Sequence, residues 1–263
     1  MRFRPVVFAS FSLAFAVSPV ARRAPETTRY RVDIKAESTI DVSAAGGGVI
    51  VQNANLSAWV AVTLTDTTGG RVIHTILDSV VYSGTAPVPQ TSLDSARGGM
   101  VHGYLDADGK VRNLSATPSS NLMLGQVQGL INGFFPRIKG GAKAGDRWTD
   151  TTEVSNNTGG NNTLAKVFTS YTAGGQETIA GMPAMKVEAT TRSTTTGTLD
   201  SPMTGTMEVE GTGAGTSTLF IGANGRLLGV NSSSTIDQTL KMSMVPTPVP
   251  VKTTQTVIIT LLK

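Results

Sequence analysis

The stretch that decides the fold lies near the start of the chain, where residues 30–36 read Tyr-Arg-Val-Asp-Ile-Lys-Ala. Apolar and polar side chains alternate one by one, and this period of two is typical of a β-strand that buries one face. The same alternation recurs in ten further segments rich in Thr, Val and Ser, the last of them at 254–261. The chain is therefore predicted to be mainly β, with about a dozen strands.

Turn signals separate these strands. Asp108-Gly109 and Asn224-Gly225 are favoured pairs in type I′ hairpins, and tight Gly-rich turns are predicted at 68–70 and 173–175. Strands joined by such short turns are antiparallel. We interpret the segment 211–215, Gly-Thr-Gly-Ala-Gly, as a bulge or a flexible turn between strands.

Three prolines, Pro246, Pro248 and Pro250, alternate just before the last strand. Proline has no backbone N–H to give to a sheet ladder. The prediction is an extended segment that pairs on one side only.

One segment, 119–135, has a helical period instead. Its large apolar residues fall mainly on one broad face, and Ser119 or Ser120 is predicted to cap its start. Phe135-Pro136 ends it, because a residue before proline avoids the helical region.

Gly125, Gly129 and Gly133 recur on the polar side of this helix, where each costs about 0.8–1 kcal/mol of helix stability relative to Ala. We expect another backbone to approach this glycine side closely; a glycine stripe that pairs helices in lipid is the alternative.

The N-terminus has the order of a secretory signal peptide, predicted at 1–24. Arg2 and Arg4 precede the apolar run 6–17, and small residues follow. Removing 1–24 takes away four arginines and no acid, so 22 − 4 = 18 basic residues face 18 acidic ones. The mature chain is then near neutral and has no basic stripe for nucleic acid. We expect an exported protein, periplasmic or extracellular, that is soluble after cleavage.

The amino-acid composition and the spacing of the histidines exclude several kinds of structural and catalytic site. With no cysteine, the chain lacks a disulfide scaffold, a thiolate metal site and a Cys nucleophile. Its two histidines, His74 and His102, each precede an Asp by four residues, about 13 Å along a strand, so neither forms a ready dyad. A zinc site needs the fold to bring both histidines and a carboxylate together. No catalytic residue, metal site or cofactor is predicted, although a hydrolase with dispersed residues stays open.

Two hairpin segments on either side of the helix are alike. Residues 103–111 and 219–227 both read as a strand, a turn with Gly second, a basic residue and an apolar return. This pattern fits an internal duplication of about 26–136 and 140–263, or else two ordinary hairpins. We divide the chain into a β-rich half at 25–136 and a second at 137–263 that shares one sheet with the first.

Several short motifs resemble an uncharacterised family of exported bacterial β-rich proteins. They are Phe135-Pro136 after the helix, Gly145-Asp146-Arg147-Trp148-Thr149 at a strand start, and a Gly-x-Pro turn at 181–183. The resemblance covers roughly residues 100–235 and implies a curved antiparallel sheet with a helix against its concave face. The architecture is more distantly similar to the half-open barrels of periplasmic lipoprotein and lipid carriers. Neither resemblance brings catalytic residues.

The fold class expected is a strongly curved antiparallel sheet or half-open β-barrel with one central amphipathic helix. The favoured function is a non-enzymatic envelope protein that binds an apolar or lipid-like ligand between the sheet and helix 119–135. Alternatives are a structural or interaction protein of the envelope, whose protein partners are unknown, and an outer-membrane β-barrel. The candidate ligand-binding residues are Leu122, Met123, Val127, Leu130, Ile131, Phe134 and Trp148.

Overall fold

The computed structural model describes residues 25–85, 88–119, 121–156, 162–201, 205–242 and 245–262. The predicted signal peptide lies outside these residues. Two helices occur, α1 (Gln90–Ala96) and α2 (Leu122–Phe134), with a short 3-10 turn at Ser43–Ala45. The strands are β1 (Glu26–Asp41), β2 (Val49–Thr67), β3 (Gly70–Gly84), β4 (Met100–Asp106), β5 (Val111–Thr117), β6 (Arg147–Asn156), β7 (Asn162–Ile179), β8 (Met182–Ser201), β9 (Gly205–Gly222), β10 (Leu227–Met242) and β11 (Val245–Leu261).

All eleven strands form one antiparallel sheet in the order β5-β4-β3-β2-β1-β11-β10-β9-β8-β7-β6. The predicted mainly β half-barrel is confirmed. The first and last strands pair with each other in the middle, with Tyr30 opposite Leu261 and Ile40 opposite Val251. Helix α2 joins β5 to β6, which are the two outermost strands. The chain between them therefore crosses from one edge of the sheet to the other.

The core lies between helix α2 and one face of the sheet, here called the inner face. On β1 the inner face carries Tyr30, Val32 and Ile34, which are 4%, 1% and 7% exposed. Alternation places Arg31 and Asp33 on the opposite, outer face. Within the described residues no helix is long and apolar enough to cross a membrane.

Charge separates cleanly between the two faces in the middle of the sheet. Following the register outward from β1, the inner face of residues 30–40, 187–199, 207–221, 230–242 and 247–261 carries only uncharged side chains. The charged residues of these stretches, such as Lys35, Glu210 and Lys252, lie on the outer face. Beyond the helix the inner side chains are mostly small, with a second apolar cluster of Val209, Leu240 and Val249 at the far end.

The glycine segment 211–215 is an uninterrupted part of β9, so its interpretation as a bulge or flexible turn was wrong. Register runs without a shift from β9 to β8 along this segment. Gly211, Gly213 and Gly215 all point to the inner face, where neighbours fill the space of the missing side chains. A Cβ at Gly213 would lie 2.5 Å from Ser193 Oγ, and one at Gly215 would lie 2.9 Å from the Ser233 carbonyl oxygen.

Several predicted turns differ from those in the structure. In the 108–109 and 224–225 turns only Gly109 and Gly225 have positive φ, at 75° and 77°, so these are not type I′ turns, which need two such residues. Positive φ at two successive central residues occurs instead at Ala180-Gly181 between β7 and β8. The predicted turn at 173–175 is a bulge inside β7, whose register shifts between Ala173 and Gln176.

The proline prediction is confirmed. The pairing of β11 with β1 ends at Val251, whereas its pairing with β10 continues to Val245. The segment 245–250 therefore pairs on one side only, where a missing N–H on the other side costs no ladder hydrogen bond.

Helix α2 begins later than predicted, because Asn121 caps it and not Ser119 or Ser120. The Asn121 Oδ1 accepts from the backbone N–H groups of Met123 and Leu124 at 2.9 and 3.2 Å. Its Nδ2 donates to the Ser92 carbonyl and the Ser95 hydroxyl. Asn121 thereby ties α2 to α1, a short helix that the sequence did not predict.

The glycine side of α2 is open, so the expected close approach of a backbone was wrong. Gly125, Gly129 and Gly133 are exposed, and a Cβ at any of them would meet nothing within 4 Å. Their helical cost is therefore not offset by packing in this chain.

Gly215→Val tests whether close packing across β9 limits the sheet. We expect the free energy of unfolding to fall by about 1–3 kcal/mol, the usual cost of overpacking, although Val has the higher strand preference. Urea unfolding followed by circular dichroism measures the change. Ala214→Val, on the exposed outer face of the same strand, is the matched control and should be neutral or stabilising. Equal losses in both variants would contradict the packing argument.

Gly129→Ala tests the open helix side. We expect it to raise the free energy of unfolding by about 0.8–1 kcal/mol, because Ala loses less backbone entropy and meets no neighbour. The measurement is again urea unfolding. A destabilised Gly129→Ala variant would mean that this side contacts something in solution.

Candidate functional site

The predicted ligand-binding face of α2 is packed into the core. Met123, Val127, Ile131 and Phe134 are only 6%, 2%, 0% and 4% exposed, and all belong to one continuous apolar cluster with the inner face of the sheet. This stretch of the helix leaves no room for a ligand against the sheet. An open site must lie beyond the packed turns.

The other predicted site residues lie around this core. Leu130 is half-buried and packs at its edge, and the side chain of Leu122 lies outside the described residues. Trp148 stacks on Tyr171 with ring centroids 5.2 Å apart, and its indole N–H donates to the Arg137 carbonyl at 2.9 Å. Trp148 is therefore a satisfied, partly buried anchor at the start of β6.

A cavity of about 160 Å³ opens at the C-terminal end of α2, between the helix and the sheet. We call it the Arg226 cleft. Of the predicted site residues only Phe134 lines it. The full lining is Glu26, Thr28, Tyr30, Val62, Leu64, Arg71, Leu105, Gly109, Phe134, Phe135, Pro136, Asn224, Gly225, Arg226 and Leu227.

The floor of the cleft is apolar and rigid. The rings of Tyr30 and Phe134 contact each other with centroids 4.9 Å apart. The Tyr30 hydroxyl donates to the Leu227 carbonyl at 3.0 Å, so its one polar group is satisfied. Burial raises the pKa of Tyr30 to about 12, and the nearby Arg226 opposes part of that rise. The phenol therefore stays neutral and serves as a wall, not as a base.

The rim of the cleft carries two guanidinium groups and one carboxylate. Arg226 Nη1 lies 3.3 Å from Glu26 Oε1, and its Nη2 lies 3.5 Å from the Met182 sulfur, a weak acceptor. The Nε of Arg226 is buried and has no hydrogen-bond partner. Arg71 is exposed, and no carboxylate among the described residues pairs with it. The rim therefore has a net positive charge.

The two similar hairpins flank this cleft from opposite halves of the sheet. Gly109 lies in the β4–β5 turn, and Asn224, Gly225 and Arg226 form the β9–β10 turn. Both turns close with equivalent backbone bonds, Gly109 N–H to the Asp106 carbonyl and Gly225 N–H to the Gly222 carbonyl, each 2.9 Å. The shared turn pattern is the sequence signal that could have led to this end of the sheet, but it was interpreted only as a possible internal duplication.

The structure brings together the two histidines that a zinc site would need, but within the part of the chain that it describes it places no carboxylate beside them. Register places His74 opposite His102 on neighbouring strands, with ring centroids 4.4 Å apart in a T-shaped contact. No group of three or more His, Cys, Asp or Glu side chains among the described residues is placed to hold a metal ion. The pair therefore lacks the carboxylate that the sequence argument demanded.

Comparisons with known proteins find no match among family models, curated proteins or solved structures. The resemblances to exported bacterial β-rich proteins and to periplasmic carriers stay predictions. The proposed function therefore rests on the geometry of the Arg226 cleft.

The raised pKa of Tyr30 predicts a specific loss of stability in alkali. The unfolded chain ionises this phenol near pH 10 and the folded chain near pH 12. The stabilisation is fully present below pH 10 and is lost as the pH rises to 12, by roughly 3 kcal/mol at most. Urea unfolding at pH 8, 10, 11 and 12 measures this slope. The Tyr30→Phe variant should lack that part of the slope, and parallel curves for the two proteins would contradict the assignment.

Proposed function

We propose that this chain is an exported, non-enzymatic envelope protein that binds an apolar or amphipathic ligand in the Arg226 cleft. The observation that carries the proposal is the cleft itself, a cavity with an aromatic floor and a polar, charged rim between the sheet and the end of helix α2. Its position differs from the packed helix face that the sequence favoured.

The size of the cleft limits the ligand. A cavity of about 150 Å³ lined by apolar side chains is large enough for a guest such as benzene. A ligand segment of about six methylene groups is of comparable size, and burying it contributes about 5 kcal/mol of transfer free energy. Because the loss of translational and rotational freedom on association offsets much of this gain, the apolar part alone is expected to bind weakly.

The groups in the cleft suit binding better than catalysis. The phenol of Tyr30 is neutral and already hydrogen-bonded, and Glu26 is paired with Arg226. No histidine lines the cavity. The side chains therefore offer an apolar wall and fixed charges, which are the elements of a recognition site.

The alternative is a structural or interaction protein of the envelope without a small ligand. It is favoured by the burial of Met123, Val127 and Ile131, because a helix face that is 6% exposed or less simply completes a core. The two functions differ in one testable property: the cleft binds a small amphiphile in solution in the first and binds none in the second.

Calorimetric titration with octan-1-ol, an uncharged amphiphile, separates them. We expect saturable binding of one molecule per chain, weakened at least threefold in Leu64→Gln, which places an amide in the cleft wall. Leu164→Gln is the matched control, since Leu164 is 39% exposed on the outer face of β7. Thermal unfolding verifies that both variants fold. Failure of the wild-type protein to bind octan-1-ol would overturn the carrier function and leave the structural alternative.

A further inference from the structure

We propose that the ligand of the Arg226 cleft carries an oxyanion head, a carboxylate or a phosphate, held by Arg71 and Arg226. This inference rests on the proposed function and adds the chemical class of the ligand. The molecule expected is an anionic amphiphile with its apolar part on the floor formed by Tyr30 and Phe134.

The first support is that Arg226 has unused hydrogen-bonding capacity. Its contacts are one carboxylate oxygen at 3.3 Å and one thioether at 3.5 Å, while its Nε has no partner. A guanidinium group offers five donors in a planar fork that matches carboxylate and phosphate oxygens. The protein alone leaves this fork incompletely used.

The second support is the balance of charge at the rim. Arg71 and Arg226 line the same cavity, and Glu26 is the only carboxylate among its lining residues. Glu26 is itself paired with Arg226. Among the lining residues one positive charge therefore remains uncompensated; Asp66, which lies opposite Arg71 in the register of β2 and β3, is outside the cavity lining and is not ion-paired with Arg71.

One feature of the site opposes an anion, namely the C-terminal end of helix α2. Helix C-termini carry a partial negative charge of about half an electron. The Phe135 N–H turns back to the Asn132 carbonyl at 3.3 Å, which satisfies one of the terminal carbonyls. The net positive charge left on the lining after Glu26 is counted is larger than the remaining partial charge, so the sign of the field at the rim favours an anion.

The charged residues of the cleft occupy an unusual position on the inner face of the sheet. Charged side chains are excluded from the inner face across the middle strands, and Glu26 and Arg71 are at inner positions by register, opposite Leu64 and Leu105. Burying charge is costly unless it is paired. These charged groups therefore lie where solvent and a ligand head can reach them.

The test compares octanoate with octan-1-ol, which share a chain and differ in the charge of the head. We expect the wild-type protein to bind octanoate at least tenfold more tightly at pH 7 and low salt. The preference should decrease in 0.5 M NaCl, because exposed charges are screened. An octyl phosphate titration identifies the head, since the tighter of the two anions names the preferred oxyanion.

The variants are Arg71→Gln and Arg226→Gln, singly and together, with Arg192→Gln on the outer face of β8 as the matched control. The double variant should lose the preference for octanoate and keep its affinity for octan-1-ol within twofold. Retained octan-1-ol binding shows that the cleft is intact. Should Arg226→Gln fail to fold, Arg71→Gln alone is expected to reduce the preference at least threefold.

The outcomes separate the two proposals. Equal binding of octanoate and octan-1-ol by the wild-type protein would overturn the oxyanion site and leave the apolar cleft standing. An octanoate preference that persists in every arginine variant would also overturn it. Failure of the wild-type protein to bind octan-1-ol would remove the proposed function together with this inference, because both rest on the same cleft.

Discussion

The pairing of β1 with β11 in the middle of the sheet is the constraint on which the rest of the structure depends. It joins the two ends of the chain over eleven residue pairs, from Tyr30 opposite Leu261 to Ile40 opposite Val251. Each half then extends outward from this centre as a series of antiparallel neighbours. The middle of the chain is consequently left at the two outer edges, and the segment that connects β5 to β6 crosses the sheet on its inner face, where helix α2 packs.

The length of that connection explains why the cleft exists. Helix α2 has 13 residues and is about 20 Å long, whereas the longest strand, β8, has 20 residues and spans about 66 Å. One helix of this length cannot cover the whole inner face. The main core, which includes α2, Val60 and Leu219, therefore lies at one end of the sheet, and the smaller cluster of Val209, Leu240 and Val249 lies at the other. The cleft lies where the helix ends at Phe134 and the chain turns away at Pro136.

Patterns that repeat along the chain were predictable, and features that depend on a particular backbone angle or on register were not. Alternation located nine of the eleven strands, without β5 and β6 and with β9 and β10 each divided in two, and the helical period gave α2 to within three residues at its start. The type I′ prediction was wrong for the turns at Asp108 and Asn224, because an Asp-Gly or Asn-Gly pair also occurs in loops that are one residue longer than a two-residue type I′ hairpin. In such a loop the first residue of the pair does not take a positive φ. The 211–215 glycines were misread because composition cannot tell a flexible turn from a strand packed closely against its neighbours.

The candidate site was only partly predictable for a related reason. The helix face was correctly found to be apolar, but apolar character is the same for a core and for a ligand pocket. Phe134 lines the cleft while Ile131, one turn earlier, is fully buried. Arg71 and Arg226 belong to different halves of the chain, so only the order of the strands brings them to one rim.

The charge pattern is what distinguishes a binding cleft from an imperfect end of the core. An end of a core that only needed sealing is served by polar uncharged groups, as the small Ser and Thr side chains along the rest of the inner face show. Here the sheet instead places Arg71, Glu26 and a half-buried Arg226 beside the Tyr30 and Phe134 rings. A buried guanidinium nitrogen without an acceptor destabilises the unliganded protein. In the binding function that we propose, an oxyanion at the rim supplies acceptors to this guanidinium and offsets that cost.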